Sequence, residues 1–357
     1  MIADLNDAPH RSTRSSVSFP RLLVAGPAVA IVSMAAAIVA TNAAGLSVRD
    51  PDHVAGRRLL ILFALVGALV LADVWVRAAR RTHRRWPGRA AMAAVRRERW
   101  TVRRSIAVAS ALISFYVSYL AYRNLKSVVP LLRPGELFDT QLADLDRALF
   151  GGNDPAVILH TILGSGAATQ VMSVAYGLLF VFIPATLAAA LVFSRSLQAG
   201  LFYVSAQSIN WLLGAVSYLL VPSLGPVYWE PWVFANLPPS GVSKLQELLL
   251  DQRIHFLRDP AVATAQSIGA FASLHVSIFF TGVLAAHILG LGRRLRIGAW
   301  GLLGLTTLST IYLGWHYVMD DIGGLALGAL AIMLAQAMTG FDVRGARRLT
   351  TAKPASA

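Results

Sequence analysis

Eight apolar runs dominate this chain, at about 22–42, 59–76, 105–122, 170–193, 199–221, 273–291, 297–317 and 322–339. Crossing a bilayer takes roughly 20 apolar residues, because no water in the hydrocarbon core can satisfy a bare backbone. The spacing therefore predicts an all-α, polytopic membrane bundle of about eight spans. Composition agrees: 14% of residues are charged, against about 25% in a soluble domain. The first run follows Arg11, Arg14 and Arg21. It is too long for the apolar core of a signal peptide and reads as a retained anchor.

The Lys/Arg bias sets the expected orientation. The loop 77–104, "RAARRTHRRWPGRAAMAAVRRERWTVRR", holds eleven Arg. Together with the N-terminal tail, Arg195, "RRLR" at 293–296 and the C-terminal tail, it places 22 of the 32 Lys and Arg on one face. That face is expected to be cytoplasmic, with both termini inside and the protein a multi-pass component of the cell membrane. The net charge of +14 is thereby assigned to topology and anionic lipid rather than to nucleic acid. The absence of Cys excludes a disulfide framework and a thiolate metal site. Two long connections, 123–169 and 222–272, lie on the opposite face, where a site is most readily built. The expected organisation is an N-terminal tail, two accessory spans and the basic loop over 1–104, a six-span membrane domain over 105–340, and a basic tail over 341–357.

Ionisable residues inside spans point to function, and three of them converge here. In "STIYLGWHYVMDDIGG" (309–324), His316 and Asp320 stand four residues apart at the outer end of the seventh run, which predicts one shared helix face. In "GAFASLHVSIFF" (269–280), Ser273 is placed to cap the sixth span, with His275 in its first turn. The sixth span runs inward and the seventh outward, so the two His reach the same outer level. His287 and His160 read as packing residues, His53 and His255 as solvated loop residues, and Asp73 as a satisfied contact between helices.

Such a trio suits nucleophilic catalysis at phosphorus. Asp320 would fix the tautomer of His316 and free its other nitrogen to attack. His275 would protonate the leaving alkoxide and then activate the acceptor. Ser273 and the free N–H groups opening the sixth span would hold phosphate oxygens. A phosphohistidine results, and no metal or other cofactor is required.

These residues resemble the type 2 phosphatidic acid phosphatase superfamily, whose last two motifs read P-S-G-H and S-R-x5-H-x3-D. The chain has "ASLH" (272–275) and "STIYLGWHYVMD" (309–320), matching at Ser273, His275, Ser309, His316 and Asp320. The resemblance covers roughly 105–340 and implies His275 as acid and His316 as nucleophile. The chain departs from the pattern at Thr310, where the family has Arg, and at Leu274, where it has Gly. The first motif, K-x6-R-P, is matched by "KSVVPLLRP" through Lys126, Arg133 and Pro134, but before the fourth span. The family places it on the stretch leading into the second motif, where this chain reads "VPSLGPVYW" (221–229). Lys126 and Arg133 are candidate phosphate ligands, with Arg253 and Arg258 as competing clamps.

"SLHV", "YLGWHYVMD" and "VPSLGP" are more similar to the inositol phosphorylceramide synthase branch, which lacks the third-motif Arg. "FDTQLADLDRALFGGNDP" (138–155) is similar to a segment that bacterial members of that branch carry. Its Leu142, Leu145 and Leu149, with Phe138 and Phe150, form either an apolar stripe on the outer interface or an ordinary capping helix. The resemblance implies a lipid phosphotransferase that moves an inositol-phosphate-like headgroup to an alcohol acceptor. Hydrolysis of phosphatidate or a polyprenyl diphosphate is the alternative, so the expected partners are phospholipid or polyprenyl-phosphate substrates and membrane lipids. Two other classes compete, a metal site of two His and one carboxylate and a proton-coupled transporter. The broken helices and inverted repeats typical of transporters are not evident in the sequence.

Overall fold

The computed structural model describes residues 19–50, 53–194, 196–262 and 264–341. Arg11, Arg14, Arg195 and the C-terminal tail from residue 342, on which part of the expected orientation rests, lie outside the described residues. Among those described there are thirteen α-helices and no strand: α1 (Phe19–Ala43), α2 (Val54–Thr82), α3 (Arg89–Arg99), α4 (Val102–Leu132), α5 (Asp139–Leu149), α6 (Pro155–Leu163), α7 (Ala167–Phe193), α8 (Leu197–Leu220), α9 (Pro226–Trp229), α10 (Gly241–Arg258), α11 (Leu274–Ile288), α12 (Arg293–Tyr312) and α13 (Val318–Thr339).

The eight expected spans fall on α1, α2, α4, α7, α8, α11, α12 and α13. Five of these, α1, α2, α4, α7 and α13, are both long and apolar enough to cross a membrane unaided. The count of eight is not reached on that criterion, and the local chemistry explains why. Helix α8 lies at the centre, packed by α4, α13, α1, α7 and α11, and the polar residues it buries need no contact with lipid. Asn210 Nδ2 donates to Thr281 Oγ1 (2.9 Å) and to Gln207 Oε1 (3.1 Å), while Ser277 Oγ donates to Asn210 Oδ1 (2.6 Å). A satisfied network of this kind is tolerated inside a bundle. Helix α11 is shorter than its apolar run, at 15 residues, because Leu289 caps it and Gly290 takes φ 63°, ending it before residue 291. Helix α12 opens on Arg293, Arg294 and Arg296 and ends among Thr306, Ser309 and Thr310. Ile31, Leu60, Leu71 and Val174 remain exposed, as side chains facing hydrocarbon do.

The ends of the bundle differ. At one end Arg99 donates to Val192 O (2.9 Å) and Arg104 to Leu191 O (3.0 Å), and Asp73 is paired with Arg77 and Arg99, each at 2.8 Å. The arginine-rich 77–104 segment thus caps the α2–α7 end. At the other end the α1–α2 connection grips α4, with Asn124 Nδ2 donating to Arg49 O (2.9 Å), and Arg49 Nη1 reaches Ala261 O (2.8 Å). Helices α5, α6, α9 and α10 gather at this second end, around the start of α11 and the α12–α13 turn.

Candidate active site

His316 does not share a helix face with Asp320, contrary to the i, i+4 expectation. Helix α12 stops at Tyr312, Gly314 takes φ 72°, and α13 begins at Val318, so His316 lies in the turn between them. Local capping ends the continuous apolar run: the Asp320 carboxylate folds back to accept the Tyr317 N–H (2.9 Å), closing the first turn of α13. The same Oδ2 lies 3.4 Å from His316 Nδ1. That is near but outside good hydrogen-bond alignment, as resting sites often are. The turn is held from outside: Tyr312 O contacts His160 Nε2 (2.8 Å), Leu313 O accepts from Gln246 (2.8 Å) and Gly314 O from Val227 N (2.8 Å). A Cβ on Gly314 would meet the Phe234 ring at 2.6 Å, so this position needs glycine for space as well as for its φ.

His275, in the first turn of α11, faces His316 with ring centroids 5.7 Å apart. Its other face lies against Tyr176 (4.4 Å), which stacks on Trp315 (5.1 Å, 7°). Rings from α7 (Tyr176) and from the turn (Trp315 and His316) thus surround the imidazole, and its Nε2 has no hydrogen-bond partner among the described residues. Ser273 is fully buried as the N-cap of α11, accepting from Val276 N (3.4 Å) and donating its own N–H to Asp320 O (2.9 Å). Thr310 Oγ1 of α12 meets the Asp321 carboxylate of α13 at 3.1 Å. Ser273 and Thr310 therefore lock α11, α12 and α13 together at the level of the histidines. The Asp320–Asp321 pair in the sequence was the available signal for Asp321.

Of the proposed phosphate ligands, Lys126 joins the histidines and Arg133 does not. Lys126 Nζ sits 4.4 Å from the Tyr218 ring centroid and 3.4 Å from Tyr122 Oη, within electrostatic reach of both imidazoles. Arg133, at the C-terminus of α4, donates to Leu219 O (2.8 Å) and pairs with Glu136. It lines an adjoining groove of about 340 Å³ together with Arg253, Tyr218, Gly269, Pro222 and Ile268. Arg258 is exposed at the end of α10.

Two carboxylates of α5 matter to the site and were not singled out by the sequence. Asp146 accepts from Val318 N (2.7 Å) and Met319 N (3.0 Å), capping the helix that follows His316. Asp139 accepts from Leu224 N (3.0 Å), Gly225 N (2.9 Å) and Tyr317 Oη (3.2 Å). Burial pushes both carboxyls above the ordinary carboxylate range, opposed by these backbone donors. The leucines of α5 divide: Leu142 packs with Tyr317 and Phe271, while Leu145 and Leu149 are exposed. Of the two readings open to the sequence, a single apolar stripe is not formed: the leucines are divided between a protein contact and an outward face.

His160 and His287 are packing residues, bonded to Tyr312 O and Trp300 Nε1, while His53 and His255 are exposed. Among the described residues no group of three or more His, Asp or Glu is placed to hold a metal ion. Comparison with curated proteins and with solved structures finds no match. A family model described as PAP2 superfamily matches residues 140–334. That region contains His275, His316, Asp320, Asp146 and Arg253, and begins after Lys126 and Arg133. With its helical membrane bundle and more than half of its length matched, the chain belongs to the PAP2 superfamily.

Proposed function

We propose that the protein is a lipid phosphotransferase or phosphohydrolase that works through a phosphohistidine at the outer leaflet of the cell membrane. The observation that carries this reading is the meeting of His275, His316 and Asp320, from α11, the α12–α13 turn and α13, with the imidazoles 5.7 Å apart and Lys126 of α4 within electrostatic reach of both. His316 attacks phosphorus through the nitrogen not facing Asp320. As the P–O bond to the lipid breaks, the oxygen takes a proton from His275. In the second step His275 takes the proton of an incoming hydroxyl, whose oxygen displaces His316 and breaks the P–N bond. Lys126 offsets the charge that builds on the phosphoryl oxygens, standing in for the Arg that Thr310 replaces. The steps need no metal.

A lipid or sugar alcohol as acceptor makes the reaction a transfer; water makes it a hydrolysis. The motifs "SLHV" and "YLGWHYVMD" favour the inositol phosphorylceramide synthase-like branch, and so transfer of an inositol-phosphate-like headgroup. The purified protein, incubated with labelled phospholipids with and without acceptor lipids, is expected to form a new labelled lipid, and His316→Ala to form none. Free phosphate as the product would assign hydrolysis. Turnover retained in His316→Ala would remove the nucleophile from the mechanism.

A further inference from the structure

Helix α10 divides its surface three ways. Val242, Gln246 and Phe256 face inward and are buried. Leu250, Ile254 and Leu257 fall beside them within about 60° of arc, and are 41%, 41% and 48% exposed. Lys244, Glu247, Asp251, His255 and Arg258 fill the next arc, of about 80°. All five are exposed, and Asp251 meets His255 at 3.3 Å. Leu248 is exposed on the far flank, apart from the other three. Water on every open side gives a helix no reason to keep an exposed apolar stripe apart from a charged one. A helix lying where protein, lipid and water meet does have one.

The partners of α10 set its level. Val242 N donates to Ser173 Oγ (3.2 Å), on the second turn of α7, and Gln246 Nε2 to Leu313 O (2.8 Å), where α12 ends. Arg253 Nη1 reaches Gln266 Oε1 (3.4 Å), whose Nε2 donates to Lys126 O (2.8 Å) of α4. Leu257 lines the groove of about 340 Å³ together with Val129 and Pro130, in the last turn of α4. The helix therefore crosses the ends of three spans. With 31 residues, α4 is about 46 Å long against roughly 30 Å of hydrocarbon, which leaves about 8 Å in the headgroup layer at each end. Ser173 and Lys126 each stand about 9 Å from their helix ends, at that boundary. Tyr228 Oη of α9 donates to Gln246 O (3.1 Å), and the following Trp229 and Trp232 are exposed. Tryptophan is enriched at this depth.

We propose that Leu250, Ile254 and Leu257 dock α10 onto the lipid surface at the histidine end of the bundle, with the charged stripe turned to water. The partner is the bilayer itself, bound by apolar side chains that enter its headgroup layer. Seated there, α10 braces the turn that carries His316, through Gln246 and Leu313 O.

The chain has no Cys, so single-cysteine variants of the full-length protein carry one fluorescent label each. Leu250→Cys, Ile254→Cys and Leu257→Cys report the apolar stripe; Glu247→Cys, Asp251→Cys and Arg258→Cys report the charged one. Each is placed in phosphatidylcholine–phosphatidylglycerol vesicles and quenched by iodide from water or by phosphatidylcholine carrying a nitroxide near its headgroup. The ratio of lipid to iodide quenching is expected to be several-fold higher on the apolar stripe than on the charged stripe. Three positions on each stripe keep the comparison intact if one variant fails to fold. Equal ratios on the two stripes would place α10 in water and overturn the proposal. So would apolar-stripe labels shielded from both quenchers until the protein is diluted in lipid, which would assign that stripe to a second copy of the chain.

Discussion

The spacing of the two imidazoles depends on how closely α13 approaches α11, and Gly324 marks the tightest point. A Cβ built there lies 2.4 Å from Ser273 O and 3.2 Å from Val276 Cβ. The oxygen belongs to the backbone and has no rotamer to escape into. Ordinary contact starts at 3.4 Å, so Gly324→Ala drives the helices apart locally by roughly 1 Å, an overpacking that costs about 1–3 kcal/mol. Alanine's better helix propensity returns at most about 1 kcal/mol. The opening acts on Ser273, which donates to Asp320 O and lies two residues from His275. A displacement of about 1 Å between reacting groups costs on the order of 10²-fold in rate. The assay compares kcat on a lipid phosphate in micelles, normalised to folded protein, with the thermal midpoint by circular dichroism. Gly304→Ala serves as control, since nothing lies within 4 Å of its Cβ on α12, and it should keep wild-type kcat. If folded Gly324→Ala also keeps wild-type kcat, the α11–α13 approach does not set the geometry of the site.

Two further variants separate positioning from binding. Asp146→Ala strands the Val318 and Met319 N–H groups, which costs about 1–3 kcal/mol; a lower thermal midpoint and a lower kcat are expected together, and an unchanged midpoint would deny Asp146 its role as the cap of α13. Lys126→Met keeps most of the buried stem and removes the charge beside both histidines; KM for a lipid phosphate should rise by about 10-fold or more, the scale of a lost charge-assisted contact, and an unchanged kcat/KM would place Lys126 outside the reaction.

Much of the architecture was legible because it follows from local rules. Apolar runs of bilayer length become helices wherever they are placed, and the arginine-rich 77–104 segment sorted itself to one end of the bundle, as its charge requires. Asp73 satisfied by Arg77 and Arg99 follows the same logic. His316 and Asp320 share no helix face because one apolar run contains a helix stop at Gly314 and a start at Val318 that Asp320 caps, and capping chemistry outweighs hydrophobic continuity. Asp139 and Asp146 left no pattern at all, since the backbone donors they meet stand 85 and 172 residues away.

Which residues are helical, which side carries the positive charge and which side chains can do phosphorus chemistry are properties of short stretches, and the chain's order of residues decided them. Lys126 and Arg133 are neighbours in one motif, yet one stands beside the imidazoles and the other in the adjoining groove, opposite a guanidinium from α10. Only packing decides that division. Distances between side chains of different helices are set by which small residues let two backbones approach, as Gly324 does against Ser273, and that sum over many contacts is written in no single segment.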